Sequence, residues 1–465
     1  MNLVGMLRQA SVVGRQIQMQ MNKAIRKTMV RSALLAGAAL IVSSGPAMAQ
    51  AGKLDPTFGV AGVFTNSLGT LLTVAAVESD GKIVVGGEIS PEAAVVRLNT
   101  NGTLDSTFGT GGAVSISFPG DDFGGAQVIG LAIQSDGKIV AAISNFQQGF
   151  GPLFILARLN VNGSLDTTFG SGGIVETQVG PSGGSFGAVA SVLTLQPDGK
   201  ILLAGLNSEL TGASGALARY DASGQLDDTF GNGGVAATLL AAPTAIALQP
   251  DGKILLAAGG NVVGFGSAAP PVSLAQAAGI ISRYNANGSL DTSFGISGQA
   301  ASAVVAGAMA VQTGGGCSSD CKILVGGTVV TSLSINNGNG IGFGLARFNS
   351  NGSVDTNFGQ GGAVATSFSL NATQPNASLF ALALQSNGDI VAAGSVVTSA
   401  PFSPQRADFA LARYTSNGGL DSSFGSGGKV TTAFGNNQAS IYGLALESDG
   451  KIVAVGTSIA RYLAQ

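Results

Sequence analysis

The sequence contains no histidine and no tryptophan, and only 10% of its 465 residues are charged. Without histidine, catalysis that depends on an imidazole base or acid is excluded. Disorder is excluded as well, because a disordered chain combines low hydrophobicity with high net charge, whereas this chain is 45% hydrophobic with a net charge of −3. Glycine is abundant instead: 72 glycines among short runs of Val, Ile, Leu and Ala indicate short strands joined by tight turns.

Cysteine is nearly absent. Its two occurrences, Cys317 and Cys321, lie in the segment GGGCSSDCK. Two sulfur ligands without any histidine do not complete a zinc site. In an exported protein a close pair is typical of a local disulfide bond, so we predict that Cys317 and Cys321 are bonded to each other.

The first 49 residues differ from the rest of the chain. Six basic residues and no acidic one precede or adjoin the apolar run ALLAGAALIV (33–42), and a small-residue motif, AMA, follows it. This pattern predicts a secretory signal peptide over 1–49 that is cleaved between Ala49 and Gln50, with Met21 as an alternative start. The run is shorter than the ~20 residues of a spanning helix, and an uncleaved anchor is the alternative. Since six of the 22 basic residues lie in this leader, cleavage leaves 16 basic and 25 acidic residues, a net charge of −9.

Three phrases recur seven times each along the rest of the chain. The first has the form L/V-D-x-x-F-G, the second approximates Q-x-D-G-K-I, and the third is an Arg followed by a hydrophobic residue. The Asp residues of the first phrase are spaced by 50 to 66 residues. A repeat of this period is typical of a solenoid, a propeller or an array.

One unit, 113–160, contains four predicted strands: AVSISF, VIGLAIQ, KIVAAIS and FILARLN. An Asp-Gly pair between the second and third favours a tight hairpin turn, and no long stretch has helical periodicity. Seven such units predict an all-β fold, a single seven-bladed β-propeller of four-stranded antiparallel blades over 50–465. The alternative is a β-solenoid, whose rungs are shorter, about 20–30 residues.

The repeat is cut inside a unit at both ends of this segment. It begins at a D-x-x-F-G phrase and ends at an Arg phrase. A solenoid needs caps at both ends, whereas a ring needs its first strand to complete its last unit. We therefore predict that the N-terminal strand, around 60–66, closes the ring.

The combined phrases L-D-x-T-F-G-x-G-G, A-L-Q-P-D-G-K-I and L-A-R-Y-N-x-N-G-S-L-D resemble the delta-60 repeat, a bacterial family predicted to form β-propellers. The resemblance covers essentially 53–463 and departs at 319–321 and 387–389, where D-G-K is altered. It implies a propeller fold and an exported protein. It implies no defined activity and brings no catalytic residues.

An Arg precedes the Asp of the first phrase by eight residues in all six units that contain both. The fork geometry of Arg suits a partly buried carboxylate, so we predict an Arg–Asp pair in each blade and one across the ring closure. The predicted pairs are Arg97–Asp105, Arg158–Asp166, Arg219–Asp227, Arg283–Asp291, Arg347–Asp355, Arg413–Asp421 and, across the closure, Arg461–Asp55.

The same phrases contain seven Phe residues, which we expect to fill the gaps between sheets. They are Phe58, Phe108, Phe169, Phe230, Phe294, Phe358 and Phe424. The N-x-N-G-x-L-D segment has an alternative role as a calcium loop, because it supplies Asn and Asp oxygens in a turn. A turn held by Asn side chains explains the same residues, and the EF-hand spacing is missing, so we predict no metal site.

Connections vary in length at two places in each unit. With the strands named A to D from the VIGLAIQ-type strand outward, the B–C and D–A connections vary, while the A–B and C–D turns are constant. In an up-and-down blade both variable connections emerge on one face. The longest, 257–280, 326–343 and 394–409, are rich in Gly, Ser, Ala, Asn and Val. We hypothesise that this face contacts a partner, with neutral variation of unconstrained loops as the alternative.

These observations favour an exported, periplasmic or extracellular scaffold that binds a protein or surface ligand and is not an enzyme. One alternative is a carboxylate-dependent hydrolase or lyase acting on carbohydrate, with Asp121 and Asp122 as the acidic pair outside the repeats. Another is a purely structural cell-surface protein. Positive charge is nearly confined to the leader and the repeat phrases, so we expect no nucleic-acid partner. We also expect a monomer with no cofactor and no membrane span after cleavage.

Overall fold

Short apolar segments separated by glycine-rich turns fold into antiparallel strands throughout the part of the chain that the structure describes. The structure is a computed structural model that describes residues 50–64, 71–89, 92–117, 125–145, 153–179, 189–209, 212–259, 278–313, 321–332, 340–368, 376–398, 406–435 and 439–465. They belong to one compact unit, Gln50–Gln465. No helix among them is long and apolar enough to cross a membrane.

The strands of these residues form seven four-stranded sheets. In chain order the strands are β1 (Val63–Phe64); β2 (Leu71–Val77), β3 (Ile83–Ile89), β4 (Glu92–Leu98) and β5 (Ala113–Ile116); β6 (Ala126–Ile133), β7 (Ile139–Asn145), β8 (Leu153–Leu159) and β9 (Ile174–Gln178); β10 (Val189–Leu195), β11 (Ile201–Glu209), β12 (Gly212–Tyr220) and β13 (Val235–Thr238); β14 (Ala245–Leu248), β15 (Ile254–Gly259), β16 (Gly279–Tyr284) and β17 (Gln299–Ser302); β18 (Val305–Gln312), β19 (Lys322–Ser332), β20 (Gly340–Phe348) and β21 (Ala363–Thr366); β22 (Ala377–Leu384), β23 (Ile390–Val397), β24 (Ala407–Tyr414) and β25 (Lys429–Thr432); and β26 (Ile441–Leu446), β27 (Ile452–Gly456) and β28 (Ile459–Tyr462).

Each group of four from β2 to β25 is one sheet, and we call these sheets blades 1 to 6. Blade 7 has the order β26-β27-β28-β1, so the first strand of the chain completes the last blade. Within it, Val63 pairs with Ala460 and Phe64 with Ile459. The predicted all-β, seven-bladed β-propeller closed by its N-terminal strand is confirmed; the described part of that strand is Val63–Phe64, and 65–66 lie outside the described residues.

The blades are offset from the sequence unit 113–160. Its first strand, β5, pairs with β4 of the preceding sheet, where Val95 lies opposite Val114. Blade 2 therefore runs from β6 to β9. The reason is local: the D-x-x-F-G segment turns the chain back onto the strand that precedes it, so strand D follows strand C in the same sheet.

Apolar side chains on both faces of each sheet form seven hydrophobic clusters, each shared by two neighbouring blades. The middle strands are apolar at consecutive positions because both of their faces are covered; Ile139, Val140 and Ala141 are fully buried. One cluster joins Val85 of blade 1 to Val453 of blade 7. Hydrophobic packing is thus continuous around the ring, including across the closure.

Glycine is required at two kinds of turn. In the A–B turn of blade 2, Gly137 has φ +80° and its amide donates to the carbonyl of Gln134, which makes a short loop that few other residues can form. In the next C–D segment, Gly163 has φ +87°, and a Cβ there would lie 2.7 Å from the amide nitrogen of Gly109 in the preceding blade. The recurrent glycine after Asn therefore allows adjacent blades to touch through their backbones.

Candidate functional site

A cluster of side chains recurs at the end of strand C. In blade 2, Nε of Arg158 donates to Oδ2 of Asp166 at 2.8 Å. The other carboxylate oxygen accepts from the amide and hydroxyl of Thr168 at 3.1 and 2.7 Å. The guanidinium carbon lies 4.5 Å from the ring centroid of Phe169, within the range of a cation–π contact. We call this arrangement of Arg, Asp and Phe the inter-blade clasp.

The structure brings together the Arg and Asp of all seven predicted pairs. Their Nε–Oδ2 distances are 2.7–2.9 Å in Arg97–Asp105, Arg158–Asp166, Arg219–Asp227, Arg283–Asp291, Arg347–Asp355, Arg413–Asp421 and Arg461–Asp55. Each Arg also lies over the Phe of its phrase at 4.5–4.8 Å. The Phe residues are fully buried, so they both fill the gap between sheets and provide a surface for the guanidinium.

Each Arg also reaches the next blade. Nη1 of Arg97 donates to the carbonyl oxygen of Val161 in blade 2 at 2.5 Å, and Arg413 of blade 6 donates to Ala464 of blade 7 at 2.6 Å. The corresponding acceptors for Arg158, Arg219, Arg283 and Arg347 are the carbonyls of Ala222, Ala286, Ser350 and Ser416. The clasp therefore joins the carboxylate of one blade to the backbone of the next.

The ring closure uses the same contacts across the two ends of the chain. Nε of Arg461, which is 4% exposed, donates to Oδ2 of Asp55, which is 2% exposed, at 2.9 Å. Nη2 of Arg461 lies 2.9 Å from the same oxygen as an ion-pair contact and donates to Oγ1 of Thr57 at 3.0 Å. Its Nη1 donates to the carbonyl of Thr100 in blade 1 at 2.5 Å. The amide of Gly59 donates to the carbonyl of Asn101 at 2.8 Å. Blade 7 thus contacts blade 1 as the other blades contact their successors.

Hydrogen bonds and nearby cations keep the clasp carboxylates of Asp166 and Asp291 ionised. The hydroxyl of Thr168 is the main cause that holds the pKa of Asp166 well below its usual range; burial opposes it, and Lys138 and Arg158 add to it. For Asp291, burial raises the pKa, but hydrogen bonds and nearby cations outweigh it and lower the pKa to about 2. A carboxylate that accepts several hydrogen bonds in its ionised form is a poor proton donor at neutral pH. These groups therefore suit a structural role rather than acid–base catalysis.

The Lys of the D-G-K phrase is a further clasp member that the sequence analysis did not assign. Nζ of Lys138 lies 3.0 Å from Oδ2 of Asp166, and the equivalent distances in blades 1, 3 and 4 are 2.9–3.1 Å. In blade 6 the position is occupied by Asp389, so Asp421 has no lysine at this place. The side chain of Asp421 is 18% exposed, against 5% for Asp166. The altered phrase at 387–389 thus leaves the clasp of blade 6 with one cation fewer and with a more exposed carboxylate.

Two glutamates near the ring closure were also missed. Glu78 and Glu447 replace the Gln of the Q-x-D-G-K phrase, and they face Arg97 at 3.5 Å and Arg461 at 3.0 Å. In three other blades a glutamine oxygen meets the corresponding Arg, as Gln249 does with Arg283 at 3.3 Å. Burial raises the pKa of both glutamates, although the arginines oppose this. The signal was available, because only the first and last units carry Glu at this position.

The Asn side chains of the N-x-N-G turn bind the turn itself. Oδ1 of Asn101 accepts from the amide and hydroxyl of Thr103 at 3.1 and 2.7 Å, and Nδ2 of Asn99 donates to the carbonyl of Leu104 at 3.2 Å. Among the described residues there is no group of three or more His, Cys, Asp or Glu placed to hold a metal. Asp121 and Asp122 lie outside the described residues.

Six segments of the chain match the family model described as "Domain of unknown function (DUF5122) beta-propeller": residues 78–108, 134–169, 196–230, 275–294, 319–358 and 385–424. Each matched segment ends at the clasp Phe of its unit. The chain is a β-propeller repeat protein.

Comparison with curated proteins gives no match. Among solved structures, this propeller is similar to a streptogramin B lyase at 15% identity, with a TM-score of 0.45 over 87% of this chain and 97% of the other. It is similar to Sqt1 from Chaetomium thermophilum at 12% identity, with a TM-score of 0.41 over 87% and 99%. It is also similar to the extracellular domain of BT4673 from B. thetaiotaomicron at 13% identity, with a TM-score of 0.36 over 87% and 39%. All three likenesses are distant.

The two faces of the propeller differ. On the face of the A–B and C–D turns, which we call the repeat face, backbone bonds recur between units; Gln134 to Lys138 and Gln196 to Lys200 are two examples. On the opposite face, which we call the open face, the B–C connections range from 457–458 in blade 7 to 260–278 in blade 4. Most residues of these connections lie outside the described residues.

The loop bounds predicted from sequence were too wide at 326–343. Strand β19 continues to Ser332 and β20 begins at Gly340, with Val329 opposite Gly342. The β-branched run TVVTS favours an extended chain, and it lengthens both strands beyond the repeat phrase. Cys321 of the predicted disulfide is 2% exposed, while Cys317 lies outside the described residues, so the bond stays a prediction.

Proposed function

We propose that the protein is exported and serves as a non-catalytic binding scaffold of delta-60-type repeats, which holds a protein or a surface ligand on its open face. The observation that carries the proposal is the contrast between the two faces. The repeat face has the same turns and clasps in successive units, whereas the open-face connections differ in length from blade to blade. Variable connections on a rigid frame are where folds of this kind place binding residues.

The use of charge supports a scaffold rather than an enzyme. The clasp arginines and aspartates are buried or nearly so, and their polar atoms bond to each other and to adjacent backbone. The lowered pKa of Asp166 and Asp291 leaves these carboxylates without a proton to transfer at neutral pH. Charge in the repeats therefore maintains the ring, and recognition is left to the open-face connections, which carry little charge.

Export is supported by the leader pattern over 1–49, with cleavage between Ala49 and Gln50. The close pair Cys317 and Cys321 agrees with an oxidising compartment, periplasmic or extracellular. The net charge of −9 after cleavage disfavours nucleic acid and anionic surfaces as partners.

The proposal can be tested with purified protein 50–465 as bait against envelope and culture-medium fractions. The test variant replaces 260–278 with a two-residue Asn-Gly turn, because β15 ends at Gly259 and β16 begins at Gly279. The matched control carries Asp136→Asn and Asp198→Asn, exposed changes on the repeat face whose side chains are 55% and 56% accessible. Melting curves establish that both variants remain folded.

We expect a partner that binds the parent and the repeat-face control but is lost by the variant without 260–278. Direct titration of that partner, once purified, must reproduce the difference. If the repeat-face control loses the partner and the open-face variant keeps it, the assignment of the faces is wrong. If all three proteins retain nothing from either fraction, the binding-scaffold proposal fails.

A further inference from the structure

The A strands form the inner wall of the propeller. Each lies at one end of the strand order in its sheet, and each contacts the A strands of the two adjacent blades. In six blades this strand contains a β-bulge that leaves one residue opposite no residue of strand B; these are Thr73, Ile129, Ser191, Gly307, Phe380 and Tyr442. Because neighbouring blades cover both faces of a sheet, the exposed side chains at these positions face the axis.

Two of these inward residues are aromatic and exposed. Phe380 in blade 6 is 38% exposed and Tyr442 in blade 7 is 39% exposed. Their ring centroids are 5.7 Å apart and their planes are tilted by 40°, so neither ring covers the other. By contrast, the other four tyrosines of the chain, Tyr220, Tyr284, Tyr414 and Tyr462, are at most 1% exposed. Two adjacent exposed aromatic rings on the inner wall indicate a contact surface for a ligand.

Beside this pair, in blade 7, lies the shortest of the described B strands, β27. Strand β27 of blade 7 ends at Gly456, and Gly456 pairs with Ile441, the residue next to Tyr442. In blade 5, β19 continues to Ser332, about five residues farther from its D-G-K turn, which is roughly 17 Å at the rise of a β-strand. Strand B of blade 7 thus ends earlier than the other described B strands; we call this early end the notch, and Tyr442 lies next to its last residue pair.

The chemistry of the inner wall selects for an uncharged ligand with polar groups. None of the six bulge residues is charged. The hydroxyl of Thr73 donates to the carbonyl of Val128 at 3.1 Å and accepts from Nε2 of Gln127 at 3.4 Å, which leaves one lone pair of its oxygen for a ligand. Aromatic faces carry negative charge density that attracts the polarised C–H groups of a sugar ring. The net charge of −9 after cleavage opposes anionic polymers.

We propose that Phe380 and Tyr442 form a subsite for a neutral oligosaccharide, which enters over the notch of blade 7 and places its sugar rings against the two aromatic rings. This deepens the proposed function and rests on it, because it assumes that the open face binds. Apolar side chains of a peptide are the competing occupant, but peptide anchors fill enclosed pockets, whereas this pair presents open ring surfaces and hydroxyl groups beside them.

Tyr442 can itself report on ligand binding. With no tryptophan and four buried tyrosines, acrylamide quenching of fluorescence and nitration by tetranitromethane both report on Tyr442. The experiment titrates hexamers of β-1,4-glucose, α-1,4-glucose and β-1,4-N-acetylglucosamine into protein 50–465, and it also titrates an uncharged Phe- and Pro-rich peptide. Phe380→Ala and Tyr442→Ala are the test variants. Val161→Ala is the matched control, an apolar residue 51% exposed that follows β8 on the repeat face.

We expect at least one oligosaccharide to protect Tyr442 from nitration and from quenching. Phe380→Ala should weaken its binding at least about tenfold, the scale of one lost aromatic contact, while Val161→Ala leaves it unchanged. Unchanged melting curves would show that neither test variant acts through folding. Protection by the peptide and not by any sugar overturns the carbohydrate assignment, and absence of protection by any probe overturns the subsite. Neither outcome affects the comparison of 260–278 variants, so the two proposals fail separately.

Discussion

Asp55→Ala removes the carboxylate that joins the two ends of the ring. In blades 1 to 6 the chain itself connects each Arg to its Asp, whereas Arg461 and Asp55 meet only through folding. The substitution removes the 2.9 Å hydrogen bond from Nε of Arg461, the 2.9 Å ion-pair contact with its Nη2, and two hydrogen bonds from Thr57 at 3.0 and 2.7 Å. It leaves Arg461 buried, 4% exposed, with Glu447 at 3.0 Å as an acidic contact that remains.

The magnitude follows from that burial. Removing one partner of a buried ion pair costs about 3–5 kcal/mol. With an unfolding entropy of about 2.1 cal/mol/K per residue, this lowers the Tm of a unit the length of 50–465 by about 3–6 °C. The control Asp228→Ala changes an exposed neighbour of the clasp in blade 3 and should shift stability by less than about 0.5 kcal/mol. The double variant Asp55→Ala/Arg461→Met should cost less than the sum of its parts, because the interaction between the two residues is lost only once.

Two assays follow the effect. Calorimetry measures the Tm of the three variants, and hydrogen exchange followed by mass spectrometry measures local opening at the closure. We expect faster exchange at the amides of Arg461 and Leu463, which donate to Gly62 and Lys53 in the N-terminal segment. Equal Tm values for Asp55→Ala and Asp228→Ala, with unchanged exchange at these amides, would refute the clasp as the closing device.

Three further predictions concern the repeat phrases. Clasp carboxylates such as Asp166 and Asp291 have a folded pKa below the unfolded value, about 2 for Asp291, so their stabilisation is complete above about pH 4 and is lost as the pH falls towards 2. A series of melting curves from pH 6 to 2 should show this decline, and a flat series would contradict it. Gly102→Ala should lower the free energy of unfolding by about 2–4 kcal/mol, because Gly102 has φ +78° and a Cβ there would lie 2.7 Å from a backbone nitrogen of blade 7. Gly172 has φ +64° but open space around it, so Gly172→Ala should cost only about 1 kcal/mol. Urea unfolding of the two variants measures the difference. Asp389→Lys restores the altered phrase and should raise the urea midpoint by an amount equivalent to at most about 1 kcal/mol, through a new contact with Asp421; a lower midpoint would show that this lysine position is not part of the clasp.

Much of the ring could be predicted because the same phrase had to satisfy the same contacts seven times. Invariant spacing of eight residues between Arg158 and Asp166, and between their equivalents, indicated a partner within one hairpin. The Asp-Gly pairs marked the A–B turns, and the incomplete units at the two ends indicated closure by the first strand. Local chemistry that repeats is visible as sequence periodicity.

Contacts made by the backbone were not visible in this way. Each clasp Arg also donates a hydrogen bond to a backbone carbonyl of the next blade, as Arg97 does to Val161. Because every residue has a backbone carbonyl, no sequence signal marks the acceptor. The bulges that expose Phe380 and Tyr442 arise from strand register, which depends on the packing of neighbouring blades. The role of Lys138 required knowing that the A–B turn and the C–D segment share a face.

The measurement that tests the central claim most directly is hydrogen exchange of protein 50–465 with and without its captured partner. The account predicts that protection on binding concentrates in the B–C and D–A connections, including 260–278, and that the D-G-K turns are unchanged. Protection confined to the D-G-K turns and clasp segments of the repeat face would contradict it.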